Sequence, residues 1–275
     1  MKHIVGFSAG IDSQATLLWV RNRFPANDII ALNSEAGRNE SPITVAFKNA
    51  YSRDVFPVQE AIPINADLWA TEDFAETKGL ESSAELTFAS LIKIKGRAPS
   101  RTRQFCTTFL KLIPSRRWIE ENVDEPFERY CGVRRDESPS RAGTPIRYFD
   151  EFFGCWTNCP IADWTKKMCF DYVAAHNEPI NPLYRLGFNR VGCAPCINSG
   201  KEDILNWFER FPEEMDKIRR YEKESGVTYF APCVPGMEMN FVDDVILWAM
   251  TSRGGRQFKI LPEREACESK YGLCE

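Results

Sequence analysis

Two sets of residues in this chain have the types and spacing to do chemistry. The first is Ser8-Ala9-Gly10-Ile11-Asp12-Ser13, a small-residue turn that follows the apolar run His3 to Phe7. A helical run, Gln14 to Asn22, comes next. A strand, a tight turn and a helix start leave backbone N–H groups at the helix N-terminus, a ready place for phosphate. The order is not a Walker loop, since no Lys follows the last Gly, and it lacks the G-x-G-x-x-G of dinucleotide folds. The second set is thiol-based. The chain holds 10 Cys and only 2 His, so a tightly held metal must lean on thiolates. Cys193-x-x-Cys196 can be a redox pair, half of a zinc site or part of an iron–sulfur site.

Basic residues are concentrated in one further stretch, Gly132-Val133-Arg134-Arg135-Asp136-Glu137-Ser138-Pro139-Ser140-Arg141. Three guanidinium groups in eight residues are costly to crowd unless an anion spreads among them, and Arg pairs bidentately with phosphate or sulfate. Glu137 can hold one of these arginines in place. The alternative is a solvated charged turn.

These residues need a frame. With 275 residues and 43% apolar content the chain can build one large domain, or one domain and a smaller one. Its net charge of -4 gives no global basic field for nucleic acid. No apolar run is long enough to span a membrane and no signal peptide precedes the first strand, so ten Cys predict a reducing, cytoplasmic setting. Ile29 to Asn33 reads as a second strand ending in the turn Asn33-Ser34-Glu35-Ala36-Gly37. Helices are expected at Thr44 to Asp54, Phe88 to Ile94, Lys111 to Asn122 and Lys166 to Ala175. Strands are expected within Phe56 to Ile64 and at Phe127 to Val133. This alternation predicts an α/β fold, a mostly parallel sheet with helices on both faces, with ligands outside the strand carboxyl ends. Residues 79–104 are polar and basic and are expected to form a mobile active-site loop.

The Ser-x-Gly-x-Asp-Ser turn resembles the PP-loop, S-G-G-x-D-S, of the adenine nucleotide alpha hydrolases. It departs at Ala9, where that family usually has Gly. Four more segments follow in the order of the PAPS (phosphoadenylyl-sulfate) reductase group of that superfamily. Arg103 to Pro114 resembles R-x-C-[CT]-x-x-x-K-x-x-P, keeping Cys106 and Lys111, with Thr107 where iron–sulfur members have a second Cys. Gly132 to Arg141 resembles G-x-R-x-x-E-S-x-x-R. Cys159-Pro160-Ile161-Ala162-Asp163-Trp164-Thr165 resembles P-[IL]-x-D-W-[TS]. Asn181 to Cys196 resembles N-P-L-Y-x-x-G-x-x-R-x-G-C-x-x-C, which is similar also to the sulfur-transfer protein of DNA phosphorothioation.

The resemblance implies a PP-loop nucleotide-binding domain over residues 1–153 and a smaller Cys-containing region over 154–275. It implies a bound adenine nucleotide, ATP or PAPS, held by Ser8, Gly10, Asp12, Ser13, Asn33, Glu35, Arg134, Arg135 and Arg141. Asp12, Lys111 and Arg135 are the expected catalytic residues. Mg would neutralise a pyrophosphate leaving group. Cys106, Cys193 and Cys196 supply three thiolates for a [4Fe-4S] cluster, with zinc as the alternative. The fourth ligand could be Cys159, Cys155, Cys233 or a tail Cys; Cys159 is chosen because it opens the adjacent segment. Keeping Asp12 and Ser13 suits the ATP-cleaving branch, which adenylates an acceptor and releases pyrophosphate. The reductase branch, in which a thiolate attacks the sulfur of a sulfonucleotide, usually ends in E-C-G-[IL]-H. That tail motif is absent, and only Cys267 and Cys274 stand near the end. A nucleotide-binding module without turnover is the third reading. The expected partners, besides the nucleotide, are a sulfur donor or acceptor protein, a nucleic acid as acceptor, and a second copy of the chain in a homo-oligomer; no membrane is expected.

Overall fold

A computed structural model describes residues 1–71, 77, 79–100, 103–230, 236 and 240–251. Its centre is a six-stranded sheet of order β3-β2-β1-β4-β6-β5. The strands are β1 (Lys2–Gly6), β2 (Ile29–Ser34), β3 (Val58–Ala61), β4 (Phe127–Tyr130), β5 (Arg147–Asp150) and β6 (Cys155–Asn158). All neighbouring pairs are parallel except β5 with β6, which makes β5 an antiparallel edge.

Side-chain alternation along β1 and β2 assigns the two faces. Val5, Phe7, Ile29 and Ala31 pack with Leu17 and Val20 of α1 (Ile11–Arg21) and with Phe47 and Tyr51 of α2 (Pro42–Asp54). Ile4 and Leu32 turn the other way, against Ile119 of α5 (Ile113–Asn122). Each face is thus covered by helices, as the alternating sequence pattern requires. Ser41 caps α2 by accepting from Ile43 N, and Pro42 opens the helix where its missing N–H costs nothing.

The expected mobile loop is largely packed structure. It contains α3 (Phe88–Lys95), whose Phe88, Leu91 and Ile92 are buried in the largest apolar cluster. The helix expected at Phe88 to Ile94 is there, and its apolar stripe anchors the polar segment around it. The same cluster takes in α7 (Lys201–Arg210), α8 (Pro212–Ser225) and α9 (Val242–Ala249). Helix α6 (Lys166–Ala175), capped by Thr165, packs Cys169 and Val173 onto Ile11, Ala15 and Leu18 of α1. The boundary expected after residue 153 falls between β5 and β6, so one sheet runs across it. Helix α4 (Phe105–Thr107) continues through a π turn, Thr108–Leu112, into α5. Among the described residues no helix is long and apolar enough to cross a membrane.

Candidate nucleotide and thiol site

Strand order reverses between β1 and β4, and in open α/β sheets the crevice at that point, outside the strand carboxyl ends, is where ligands bind. The loop after β1 fills it. Gly10 is the N-cap of α1, so Ile11, Asp12 and Ser13 form the helix's first turn rather than preceding it. Ser13 Oγ ties the loop together: it donates to the Gly10 carbonyl (2.9 Å) and accepts from Ser8 N (3.1 Å) and Ser8 Oγ (3.2 Å). Ala9 has φ +62°, a left-handed conformation that explains why Gly is the usual residue there. At Gly132, after β4, an added Cβ would lie 2.8 Å from Asp12 C and from Ser13 N. Only glycine lets the β4 loop lie this close to the start of α1.

The arginine cluster does not stand open as its crowding predicted. Asp12 is fully buried, with Arg134 Nε 2.7 Å from its Oδ2, and Arg134 also bonds Asp136. Arg141, buried, is bonded by Glu137. Arg135 bonds Asp163 and donates to the Thr144 carbonyl (2.9 Å). Each guanidinium therefore has a carboxylate of its own, and carboxylates, rather than an anion, relieve the crowding. Arg135 is the most accessible of the three, with its side chain 33% exposed.

Near the end of β2, Asn33 is buried; its amide donates to the Phe7 carbonyl (3.0 Å) and accepts from Lys48 Nζ (2.7 Å). Glu35 closes the following turn by accepting from Arg38 N (2.8 and 3.0 Å), and burial raises its pKa above the ordinary carboxylate value. These bonds give Asn33 and Glu35 shaping roles on the wall of the crevice.

A cleft of about 410 Å³ lies beside this turn, lined by Ala36, Asn39, Lys111, Tyr229 and the sulfur-bearing Cys106, Cys193 and Cys196. The π turn carries Lys111, while Cys106 sits in α4 before it. Burial pushes the Cys106 thiol up to about 11. Cys193 and Cys196 share a hydrogen bond that splits them. The Cys196 pKa falls well below the usual thiol value, first through that bond and then through Arg190, Asn198 N (3.5 Å) and Lys111, while Cys193 rises. Of the pair, Cys196 is the one whose deprotonated form this environment favours.

Cys159 does not join them. It is buried at the carboxyl end of β6 with Cys131, Val133 and Ala162. The register Tyr130↔Asn158 explains this, since it places Cys131 and Cys159 side by side on adjacent strands. Cys155 lies in the α5-facing core, and Cys233, Cys267 and Cys274 lie outside the described residues. Among the described residues no three His, Cys, Asp or Glu side chains are gathered for a single metal ion. A zinc ion, with its short tetrahedral bonds, therefore has no ready-made site there. Among the described residues the cleft is lined by three thiols and by no His or carboxylate, three of the four thiolates that an iron–sulfur cluster takes.

Several residues that build this site carried no strong signal. Tyr184 Oη accepts from Ile11 N (2.9 Å), fastening the C-terminal segment to the first turn of α1; its only cue was its place in Asn181-Pro182-Leu183-Tyr184. Asn39 and Tyr229 hold the Cys193 loop: Ala194 N donates to the Asn39 carbonyl (2.7 Å), and Tyr229 Oη donates to the Pro195 carbonyl (2.7 Å).

A loop-to-helix start at the switch point of a mostly parallel sheet, with a thiol cleft beside it, is the α/β architecture of the PP-loop superfamily. The phosphoadenosine phosphosulfate reductase domain matches residues 2–199, and the chain belongs to that family. It is 33% identical over 215 residues to an uncharacterised protein of Escherichia phage 186, covering 68% of this chain and 64% of that one. Against the adenosine 5'-phosphosulfate reductase of Mycobacterium tuberculosis (strain ATCC 25177 / H37Ra) it is 42% identical over 128 residues, 46% of this chain and 49% of the relative. The matches thus span less than two thirds of these relatives' lengths. Among solved structures, a PAPS reductase from Candida auris in a phosphate complex aligns with a TM-score of 0.46 at 16% identity, over 70% of this chain and 81% of that one.

Proposed function

We propose that this chain cleaves ATP between the α and β phosphates to activate an acceptor for sulfur transfer. The observation that carries the reading is adjacency. The phosphate loop follows β1 and the turn lining the thiol cleft follows β2, and these two strands are paired in parallel, so both open on one edge of the sheet. Backbone N–H groups of the α1 start, shaped by Ser8, Gly10 and Ser13, receive the phosphates. Asp12 acts through Arg134, holding its guanidinium under the loop. Arg135 and Lys111 supply positive charge, and Asn33 and Glu35 shape the wall for the nucleoside. An acceptor oxygen attacks the α-phosphorus, the bond to the β-phosphate oxygen breaks, and pyrophosphate leaves with its magnesium. A sulfur nucleophile from the cleft side then displaces AMP. Cys106, Cys193 and Cys196 would hold an iron–sulfur cluster, which when bound supplies electron or sulfide chemistry. A nucleic acid or a carrier protein is the acceptor in this reading, and the chain works as a homo-oligomer.

The identity to adenosine 5'-phosphosulfate reductases favours a second reading, in which a thiolate attacks the sulfur of PAPS or adenylyl sulfate, the S–O bond to the departing nucleotide breaks, and an external thiol then releases sulfite from the thiosulfonate and leaves a disulfide. Turnover of ATP, PAPS and adenylyl sulfate by anaerobically purified protein separates the two. Pyrophosphate and AMP from ATP are expected. Sulfite from a sulfonucleotide, with ATP intact, replaces the first reading by the second. Binding without turnover of any of the three leaves a nucleotide-binding module.

A further inference from the structure

Lys48 is a buried lysine on α2 that no part of the proposed chemistry uses. An ammonium taken out of water is costly unless every donor is matched. Two acceptors meet this one closely: Nζ bonds Glu40, whose side chain is 5% exposed, and is 2.7 Å from Asn33 Oδ1, while the half-exposed Glu60 on β3 lies 3.6 Å away, too far for a hydrogen bond. A buried ion pair can often be replaced by apolar side chains at little cost, so stability alone is a weak reason for this one.

Its partners lead in two directions. Asn33, held by Lys48, donates to the carbonyl of Phe7, the residue before Ser8 and the phosphate loop. Glu40 forms an isolated backbone bridge with Cys193, and next to it Ala194 N donates to the Asn39 carbonyl. A continuous set of contacts therefore runs Phe7–Asn33–Lys48–Glu40–Cys193. We infer that Lys48 is a positioning residue that couples the conformation of the phosphate loop to that of the Cys193-x-x-Cys196 loop. The inference rests on the reading that the phosphate loop holds the nucleotide. On that reading, occupancy at one end of the site fixes the thiol loop at the other, through one two-sided ion pair.

The Ala194 amide reports on the coupling without any ligand, since its bond to Asn39 must open for exchange. Hydrogen exchange followed by mass spectrometry is measured on the full chain. Asn33→Leu touches neither Glu40 nor Cys193, yet exchange at residues 191–196 should rise about tenfold. Lys48→Met strands Glu40 in the interior and risks unfolding, so the neutral pair Lys48→Met with Glu40→Gln is the working variant. It should loosen residues 5–10 and 191–196 together. Adding Asn33→Leu to it should give no further increase, and Lys48→Arg should restore near-normal exchange. Amides of α8 should stay unchanged throughout. The inference is overturned if Asn33→Leu alters only residues 5–10 and 29–34 while Ala194 exchanges at the normal rate. It is equally overturned if the effects add, or if α8 loosens in step. Protection of residues 8–13 by added ATP is read separately. Its absence counts against the nucleotide reading and leaves the Ala194 result decisive on the coupling.

Discussion

At the carboxyl ends of β1 and β4, each of Arg134, Arg135 and Arg141 is already matched by a carboxylate, and the loop is closed by Ser13 and by the approach of Gly132. Beside the β2 turn the arrangement is the reverse. Three thiols and the ammonium-bearing π turn face a cleft, and the hydrogen bond from Cys193 lowers the pKa of Cys196. The first region has its geometry fixed before any ligand arrives, so a phosphate gains there from position more than from unspent charge. The second region has its charge raised in advance and offers a donor set. Fixed geometry suits a group that must be held. A primed sulfur suits a group that must react or bind metal.

The largest test of this division lies among the cysteines. Cys193→Ser or Cys196→Ser should remove bound iron and acid-labile sulfide from anaerobic protein and reduce turnover to background. Cys159→Ser, in its separate pocket under β6, should keep both. Metal analysis showing loss of iron in the Cys159 variant would redraw the thiol region. Next comes Gly132→Ala on the phosphate side. Its new methyl would meet the backbone of Asp12 and Ser13, so a loss of roughly 2–3 kcal/mol is expected. Thermal denaturation should show it as a drop of about 5–10 °C. An unchanged melting point would mean that the β4 loop is free to move away, and that the geometry is not fixed after all.

Arg135→Ala tests whether matched charge still binds substrate. Loss of one charge-assisted contact is worth roughly 1.5–3 kcal/mol, so nucleotide affinity by calorimetry should fall about tenfold or more. Equal affinity would leave Arg135 as Asp163's partner and nothing else. Asp203, on α7 near Arg190, adds a pH test on the thiol side. Burial raises its pKa to about 6, although it accepts from Asn189 N (2.8 Å). The folded state thus holds its proton more tightly than the unfolded chain does. The stabilisation is complete below about pH 4 and lost as pH rises through 6, on the order of 3 kcal/mol. Asp203→Asn should flatten this slope in urea denaturation between pH 4 and 6; an unaltered slope would assign it to other groups. The smallest effect is expected for Ala9→Gly. Relief of the left-handed strain, roughly 1–2 kcal/mol, is offset by the greater freedom of glycine in the unfolded chain, leaving a gain below about 1 kcal/mol. A clear loss of stability would show that the Ala9 methyl packs usefully in the core around Phe7 and Leu17.

The same contrast explains what was legible in the sequence. Local chemistry was: the loop at Ser8–Ser13 and the parallel sheet follow from short motifs and alternation, while the meeting of Cys106 with Cys193 and Cys196 came only through the family resemblance. Helix α6 was legible to the residue because Thr165 is a capping residue at its start. Pairings across the fold were not. Nothing near Arg134 in sequence names Asp12 as its partner, and nothing near Lys48 names Asn33. Cys159 adjoins the thiol motif in chain order, but β6 carries it to the neighbour of β4. The helix expected from Lys111 begins instead at Phe105, and the π turn Thr108–Leu112 within it has no signature in the residue types.

That π turn has a consequence for length variation along this helix. Five α-helical steps advance a side chain by about 500°, which would leave Cys106 and Lys111 some 140° apart around the axis. The wider turn at Thr108–Leu112 absorbs part of that rotation, and both residues line one cleft. Removing a single residue from 108–112 would restore regular winding and leave the segment before it at nearly its present angle relative to Ser115 and Ile119, because the widened turn already gives up about one residue's rotation. Cys106 would keep its side of the helix and move along the axis by about 1.5 Å, the rise of one residue. At this position a deletion acts as a shift along the helix, and the extra residue sets how far the sulfur stands from Lys111.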